Sequence, residues 1–470
     1  MIYQEALAYL YSFADFERTG QFARDPADNL TRMSALMHLL GDPQLTYTTT
    51  HIAGTKGKGS TAALISSALV SSGVRTGLYT QPDLHTFRER IQIDGNPISE
   101  ELLVVLVIEL QGAIAMLSPD IAAQLITYEL GTALAFMAFA RESVSHAVIE
   151  VGLGGRLDAT NILQPLVGII TSISLDHMAI LGDTVAQIAA EKAGIIKPGM
   201  ILINSVQDAE AFAVIQQKCE QQSVLMVTIG PVGGEADYRY STIPTVPVAR
   251  AADLQLHQWS LITPDGVLPM TVGLYGQHQR QNAATAIAAL RVLQRQGIAV
   301  TEDGIRNGFV SVRWPARLDI VGDRPWLIVD GAHNADSLAM LLRSLNETFV
   351  YAKIWLVFGT MRDKDIAGMA QVVQIYTSQI GAMIAVQGNS PRARTTDEIR
   401  SAFSASVPVH TSDSLYDALM IAKQYATPDD LICVTGSIAL AGEALRLIQQ
   451  HFPSVSTAHI IVAGDDHGTE

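Results

Sequence analysis

A chain of 470 residues is longer than one ordinary hydrophobic core accommodates, so two domains are expected. With 48% hydrophobic and 16% charged residues it is globular, and a formal net charge of -15 argues against a broad nucleic-acid or anionic-membrane surface, which needs clustered Lys and Arg. Cys219 and Cys433 are too few for a disulfide scaffold, no run approaches a membrane span, and the N-terminus MIYQEALAYLYSFADF lacks a basic region followed by an apolar stretch, so a cytoplasmic protein is expected.

In chain order, short apolar strands alternate with alanine-rich helices. Strands are expected at 47–52, 75–79, 146–150, 167–172 and 200–203, with helices at 61–70 and 129–140 among them. This rhythm predicts an α/β fold: an N-terminal, P-loop-type, mainly parallel sheet domain. The stretch 231–272, rich in proline, glycine and β-branched residues, reads as β-rich elaboration of it. After Trp314-Pro315 a second rhythm, with strands at 326–329, 354–358, 382–386 and 431–434, predicts a smaller Rossmann-like α/β C-terminal domain. The expected division is 1–310 and 311–470.

The first strand runs into "HIAGTKGKGSTAALISSAL", which departs from the usual phosphate loop G-x-x-x-x-G-K-[ST]. Ile52 takes the first glycine position, and Gly59 separates Lys58 from Ser60 and Thr61. The physics of a phosphate site is nevertheless present. Gly54, Gly57 and Gly59 let backbone N–H groups turn inward, Lys58 supplies a movable charge, and Ser60 and Thr61 open a helix. A glycine-rich turn without a ligand is the alternative.

Further along, Glu150 ends an apolar strand where a hard cation would find an oxygen, and His177 follows another strand. A lone histidine after a strand is more often structural. Lys192 in "AAEKAGIIKPG" reads by itself as a solvated helix lysine. Asn282 reads as the start of the helix "NAATAIAAL", either as helix punctuation or as an amide within reach of a purine or ribose. Arg317 and Asp330 flank the first strand of the second domain, with His333 and Asn334 in the loop after it.

"GTKGKGST" closely resembles the loop of the folylpolyglutamate synthase and dihydrofolate synthase family, the folate branch of the Mur ligases, where G-T-[NK]-G-K-G-[ST] is usual. The resemblance continues in family order from about residue 47 to 437 through "TGLYTQPDLHTFRERIQIDGNPIS", "IEVGLGGRLDATNIL", "ITSISLDHMAILGDTVAQIAAEKAGIIKPG", "GQHQRQNAATAIAAL", "WPARLDIV", "DGAHNADSL", "FGTMRDKD" and "VTGSI". It implies a monomeric ATP-dependent ligase that joins L-glutamate to a reduced folate or dihydropteroate through an acyl phosphate. ATP would be bound by Gly54, Thr55, Lys56, Gly57, Lys58, Gly59, Ser60, Thr61, Asn282, Arg317 and Asp330. Magnesium would be held by Ser60, Gln81, Glu150 and His177, with a monovalent cation as a further ion. Lys58, Lys192 and His333 would be catalytic, Lys192 as a carbamate, and domain closure would exclude water. "DNLTRM", 28–33, resembles a segment contributing to the pterin region. One position departs: where relatives read T-S-P-H-L, this chain has Thr80-Gln81-Pro82-Asp83-Leu84. A Mur-type ligase for a different acid and amine, and a non-catalytic nucleotide-binding relative, are the alternatives.

Overall fold

The computed structural model describes residues 1–14, 29–243, 246–251, 254 and 257–451. Contacts group these into two compact units. The first comprises Met1–Thr242, Gln258–Val272 and His278–Val312; the second takes Ile243–His257, Gly273–Gln277 and the chain from Arg313 onward. Two short excursions into the second unit thus precede the main passage at Val312. Sequence patterning gave no sign of them.

The first unit is built on one sheet of eleven strands: β1 Thr48–Ala53, β2 Thr76–Tyr79, β3 Ile91–Ile93, β4 Asn96–Pro97, β5 His146–Glu150, β6 Val167–Ile170, β7 Ile201–Asn204, β8 Leu225–Pro231, β9 Tyr238–Tyr240, β10 His257–Thr263 and β11 Gly266–Val272. Their order is β11-β10-β9-β8-β7-β6-β1-β5-β2-β3-β4. β1 lies between β5 and β6 and is parallel to both, so the loops after these three strands open at one edge. That edge is where ligands bind in such sheets. The stretch 231–272, read as a β-rich elaboration, supplies β9, β10 and β11 to this same sheet: β9 runs parallel to β8, and β10 turns antiparallel against β9. Edge pairing, invisible to local pattern, decides this.

Central strands buried on both faces are expected to be almost wholly apolar. β1 instead carries Thr48 and Thr50, and β5 opens on the buried His146. They satisfy one another, with the two imidazole nitrogens 2.8 and 2.9 Å from the Thr48 and Thr50 hydroxyls. Burial holds the His146 ring neutral by lowering its pKa to about 3.

Three helices of this unit matter to the site: α1 Lys58–Ser71, α2 Val185–Ala193 and α3 His278–Arg295. The second unit holds a sheet of six strands, β12 Asp319–Asp323, β13 Trp326–Val329, β14 Ile354–Phe358, β15 Ile380–Val386, β16 Val409–Ser412 and β17 Leu431–Thr435, in the order β12-β13-β17-β14-β15-β16. Only the β12–β13 pairing is antiparallel. Its core gathers Ile328, Leu342, Leu356, Phe358 and Met383. A mostly parallel α/β sheet followed by a smaller one is the fold class that the alternating pattern predicts.

Candidate active site

β1 ends at Ala53 and the chain turns at Gly54, where a Cβ would lie 1.8 Å from the Thr171 hydroxyl. Gly57, at φ 86, caps α1, and a Cβ there would meet Asn282 Oδ1 at 2.4 Å. Left-handed backbone and close approach both demand glycine. Helix α1 therefore begins at Lys58, three residues before the expected Thr61. The amides of Lys58, Gly59 and Ser60 fall in its first turn, where helix geometry offers no acceptor and the dipole favours an anion.

The loop is fastened to the segment after β6. Thr55 N donates to Ser172 O at 2.6 Å, Lys56 N to Ser172 Oγ at 3.2 Å, and the Thr171 hydroxyl to Lys56 O at 2.7 Å. Lys56 Nζ pairs with Asp176 at 3.2 Å, so its charge is turned toward that segment. Lys58 Nζ instead stands 3.7 Å from Glu150 Oε1 at the end of β5, and the Glu150 residue is only 5% exposed. The backbone N–H of Gln81 points at Glu150 Oε2 from 3.4 Å. Lysine, carboxylate and the departing Gln81 thus converge, although they are far apart in sequence.

Lys192 corrects the reading of it as a solvated helix lysine. It is 4% exposed, and its ammonium donates to Gly54 O at 3.0 Å. Burial, and after it the neighbouring Lys58 ammonium, lowers its pKa from 10.5 to about 7. The local reason is helical spacing: Ile188 and Lys192 lie one turn apart on the buried face of α2.

Asn282 also needs correction. It does not begin a helix, because the polar turn from His278 already belongs to α3. Its side chain is buried in the helix's second turn, donates to Gln279 Oε1 at 2.9 Å, and backs onto Gly57. The start of the apolar run does not mark the helix start, since Gln279 and Arg280 before it are already helical and buried. His177 adopts φ 51, its side chain is 39% exposed, and Nε2 lies 3.9 Å from Asp176 Oδ1. Among the described residues no three His, Cys, Asp or Glu side chains cluster as a metal site. Asp28 of the "DNLTRM" segment lies outside the described residues.

Sequence reading passed over Asp158. This buried carboxylate accepts from the amides of Gly152 and Leu153, each at 3.1 Å, from Thr160 N at 3.0 Å and from the Tyr128 hydroxyl at 2.7 Å. The Thr160 hydroxyl also donates to it and meets His51 Nε2 at 2.8 Å. These bonds shape the loop that leaves Glu150. A signal was present in "GGRLDATN", since Asp-x-Thr after glycines is an Asx-turn pattern.

In the second unit, Asp330 follows β13 and accepts from Leu318 N and Ala332 N, both at 2.8 Å. His333 directs Nδ1 to Gly331 O at 2.9 Å. Asn334 is occupied as the cap of the helix Ala335–Thr348, accepting from Ser337 N at 2.9 Å. Arg317 folds back so that Nη1 donates to Ala316 O at 3.0 Å.

Residues 52–290 match the family model of the Mur ligase middle domain, and residues 316–438 match that of the Mur ligase glutamate ligase domain. Folylpolyglutamate synthase of Lacticaseibacillus casei is 35% identical over 448 residues, 94% of this chain and 97% of that one. The chain belongs to the folylpolyglutamate synthase/dihydrofolate synthase family. Dihydrofolate synthase/folylpolyglutamate synthase of Bacillus subtilis is 32% identical, over 93% of this chain and 96% of its own length. Among solved structures, Mycobacterium tuberculosis folylpolyglutamate synthase complexed with ADP superimposes with a TM-score of 0.83 at 29% identity, covering 95% of this chain and 98% of that one. Escherichia coli FolC in complex with DHPP and ADP gives 0.80 at 28%, covering 96% and 98%. Like the folylpolyglutamate synthase/dihydrofolate synthase family as a whole, this chain is an ATP-dependent ligase.

Proposed function

We propose that the enzyme forms an amide between L-glutamate and the carboxylate of a reduced folate, of dihydropteroate, or of both, acting as a cytoplasmic monomer. The observation that carries the reading is Lys58 in the first turn of α1, 3.7 Å from the carboxylate that ends β5. The acceptor carboxylate attacks the γ-phosphorus of ATP, the bond to the bridging oxygen breaks, and ADP leaves. The glutamate amine then attacks the acyl carbon, loses a proton, and phosphate departs. The α1 amides and Lys58 stabilise charge on the transferring phosphoryl group. Asn282, Arg317 and Asp330 serve ATP, and His333 faces the transferred phosphate or the incoming amine.

The donor set fits magnesium. Ser60, Gln81 and Glu150 offer hard oxygens, and the fully buried Thr61 hydroxyl beside Ser60 has no hydrogen-bond partner among the described residues. Ser60, Gln81, Glu150 and His177 would hold the ion, with a monovalent cation as a further one. When bound, magnesium neutralises developing phosphate charge. Replacing Glu150 or His177 by Ala is expected to lower metal-dependent turnover well over tenfold, about 2–4 kcal/mol in barrier. Unchanged magnesium titrations of turnover in both variants would remove these residues from the metal site.

A substrate matrix tests the reaction itself: pteroate, dihydropteroate and tetrahydrofolate, each with and without glutamate, with ADP release measured and products weighed by mass spectrometry. Product heavier by one glutamyl unit, formed only when acceptor and glutamate are both present, is expected. ADP release with another acid or amine and none with these would point to a different Mur-type ligase; ATP binding without ADP release under any combination would make the chain a binding protein.

A further inference from the structure

The turn "PARLD", residues 315–319, is held in an unfavourable conformation. Ala316 and Leu318, on either side of Arg317, lie at φ 58 and 53. Side chains with a Cβ rarely adopt left-handed backbone, and two such residues separated by one persist only where the surroundings impose them. Here each of the two amides is caught by a carboxylate. Ala316 N donates to Asp319 Oδ2 at 2.6 Å, and Leu318 N to Asp330 Oδ2 at 2.8 Å. The two carboxylates sit on adjacent antiparallel strands, Asp319 opening β12 and Asp330 following β13, with Asp319 paired opposite Val329. The carbonyl of Ala316 is fixed as well, accepting from Gly331 N at 2.9 Å and from Arg317 Nη1 at 3.0 Å. Gly331 leaves the space for this, since a Cβ there would lie 2.7 Å from Arg317 Nη1 and 3.3 Å from Ala316 O.

Asp330 has both oxygens engaged, Oδ1 with Ala332 N and Oδ2 with Leu318 N, so it anchors only the far side of the turn. On the near side, the carboxylate that holds the Ala316 amide is Asp319. We propose that Asp319 is a positioning residue for the ligase reaction: by holding Ala316 in left-handed backbone it fixes the direction in which Arg317 presents its guanidinium. The inference rests on the assignment of Arg317 to ATP made above.

Four variants of the full chain test it by steady-state kinetics in ATP and in the folate acceptor, with thermal melting as the check on folding. Asp319→Ala is expected to lose about tenfold in kcat/KM for ATP, the order of one left-handed residue released, while KM for the acceptor stays put. Asp319→Asn keeps a carbonyl acceptor for Ala316 N–H and is expected to retain most of the activity. Adding Ala316→Gly to Asp319→Ala is expected to restore it, because glycine adopts that backbone without steric cost. A rescue of this kind separates aiming from general support. Wild-type kcat/KM for ATP in Asp319→Ala would overturn the inference, as would a loss that Ala316→Gly leaves unrepaired. Arg317→Ala distinguishes the two levels: unchanged ATP kinetics there would overturn both the Arg317 assignment and this inference, whereas a loss there beside an unaffected Asp319→Ala overturns the inference alone. Should Asp319→Ala fail to fold, Asp319→Ser with and without Ala316→Gly is read in the same way.

Discussion

Lys58→Ala is expected to lower kcat by about a hundred- to a thousandfold, about 2.7–4 kcal/mol of transition-state stabilisation, while leaving the protein folded. The size follows from the lysine's place. It is the first residue of α1, and its ammonium, 3.7 Å from Glu150 Oε1, is the cation of the loop directed at that carboxylate. Lys56, two residues earlier, is paired with Asp176 at 3.2 Å and cannot substitute without giving up that contact. Stability is expected to change little, since alanine is a better helix former than lysine and the Lys58 side chain belongs to no hydrophobic core. ADP affinity should fall less than kcat, because the first-turn amides remain. Rapid-quench measurement of ADP formation beside a thermal melt checks both halves. Wild-type turnover in a folded variant would refute the loop assignment.

Lys192→Ala is expected to be nearly as damaging, and the manner of its rescue is the sharper result. A carbamate requires a neutral amine. At an ordinary pKa near 10.4, only about one lysine in a few thousand is neutral at pH 7. With Lys192 lowered to about 7 by burial and by Lys58, a far larger share is neutral, and the amine can attack carbon dioxide. As pH falls through 7 the amine protonates, so carbamate and activity should decline on the acid side, and added bicarbonate should restore both. A carbamyl signal from labelled bicarbonate in carbon NMR, absent in Lys192→Ala, would show the adduct. Acetate is expected to rescue Lys192→Ala in part by supplying an anion, and Lys192→Arg should stay weak because arginine keeps the wrong charge. Full activity in Lys192→Arg would sink the carbamate assignment.

Much of the candidate site was legible in the sequence alone. The strand, glycines, lysine and hydroxyls of 47–61 lie within one local segment, and local segments obey short-range rules of backbone freedom and helix capping. Alternation of apolar runs with alanine-rich helices likewise determined an α/β fold, because a parallel sheet must be covered by the helices that connect it. Even the burial of Lys192 could have been read, since Ile188 lies one turn before it on the same face.

Other features were decided by tertiary structure, and they share a physical cause. Asn282 backs onto Gly57, Lys192 reaches Gly54 O and Thr171 meets Lys56 O across more than a hundred residues of chain, so no local period encodes them. Strands β8–β11 joined the main sheet because an open sheet edge pairs with whatever strand is presented to it, a choice made by hydrogen bonding between strands and not within one. The left-handed turn around Arg317 is the extreme case: Ala316 and Leu318 disfavour that backbone on their own, and their amides are held there by two carboxylates brought together by the pairing of β12 with β13. Sequence by itself determined which groups were available for the chemistry; the packing of distant segments determined which amine has its pKa lowered by burial, which lysine faces Glu150, and how Arg317 is held.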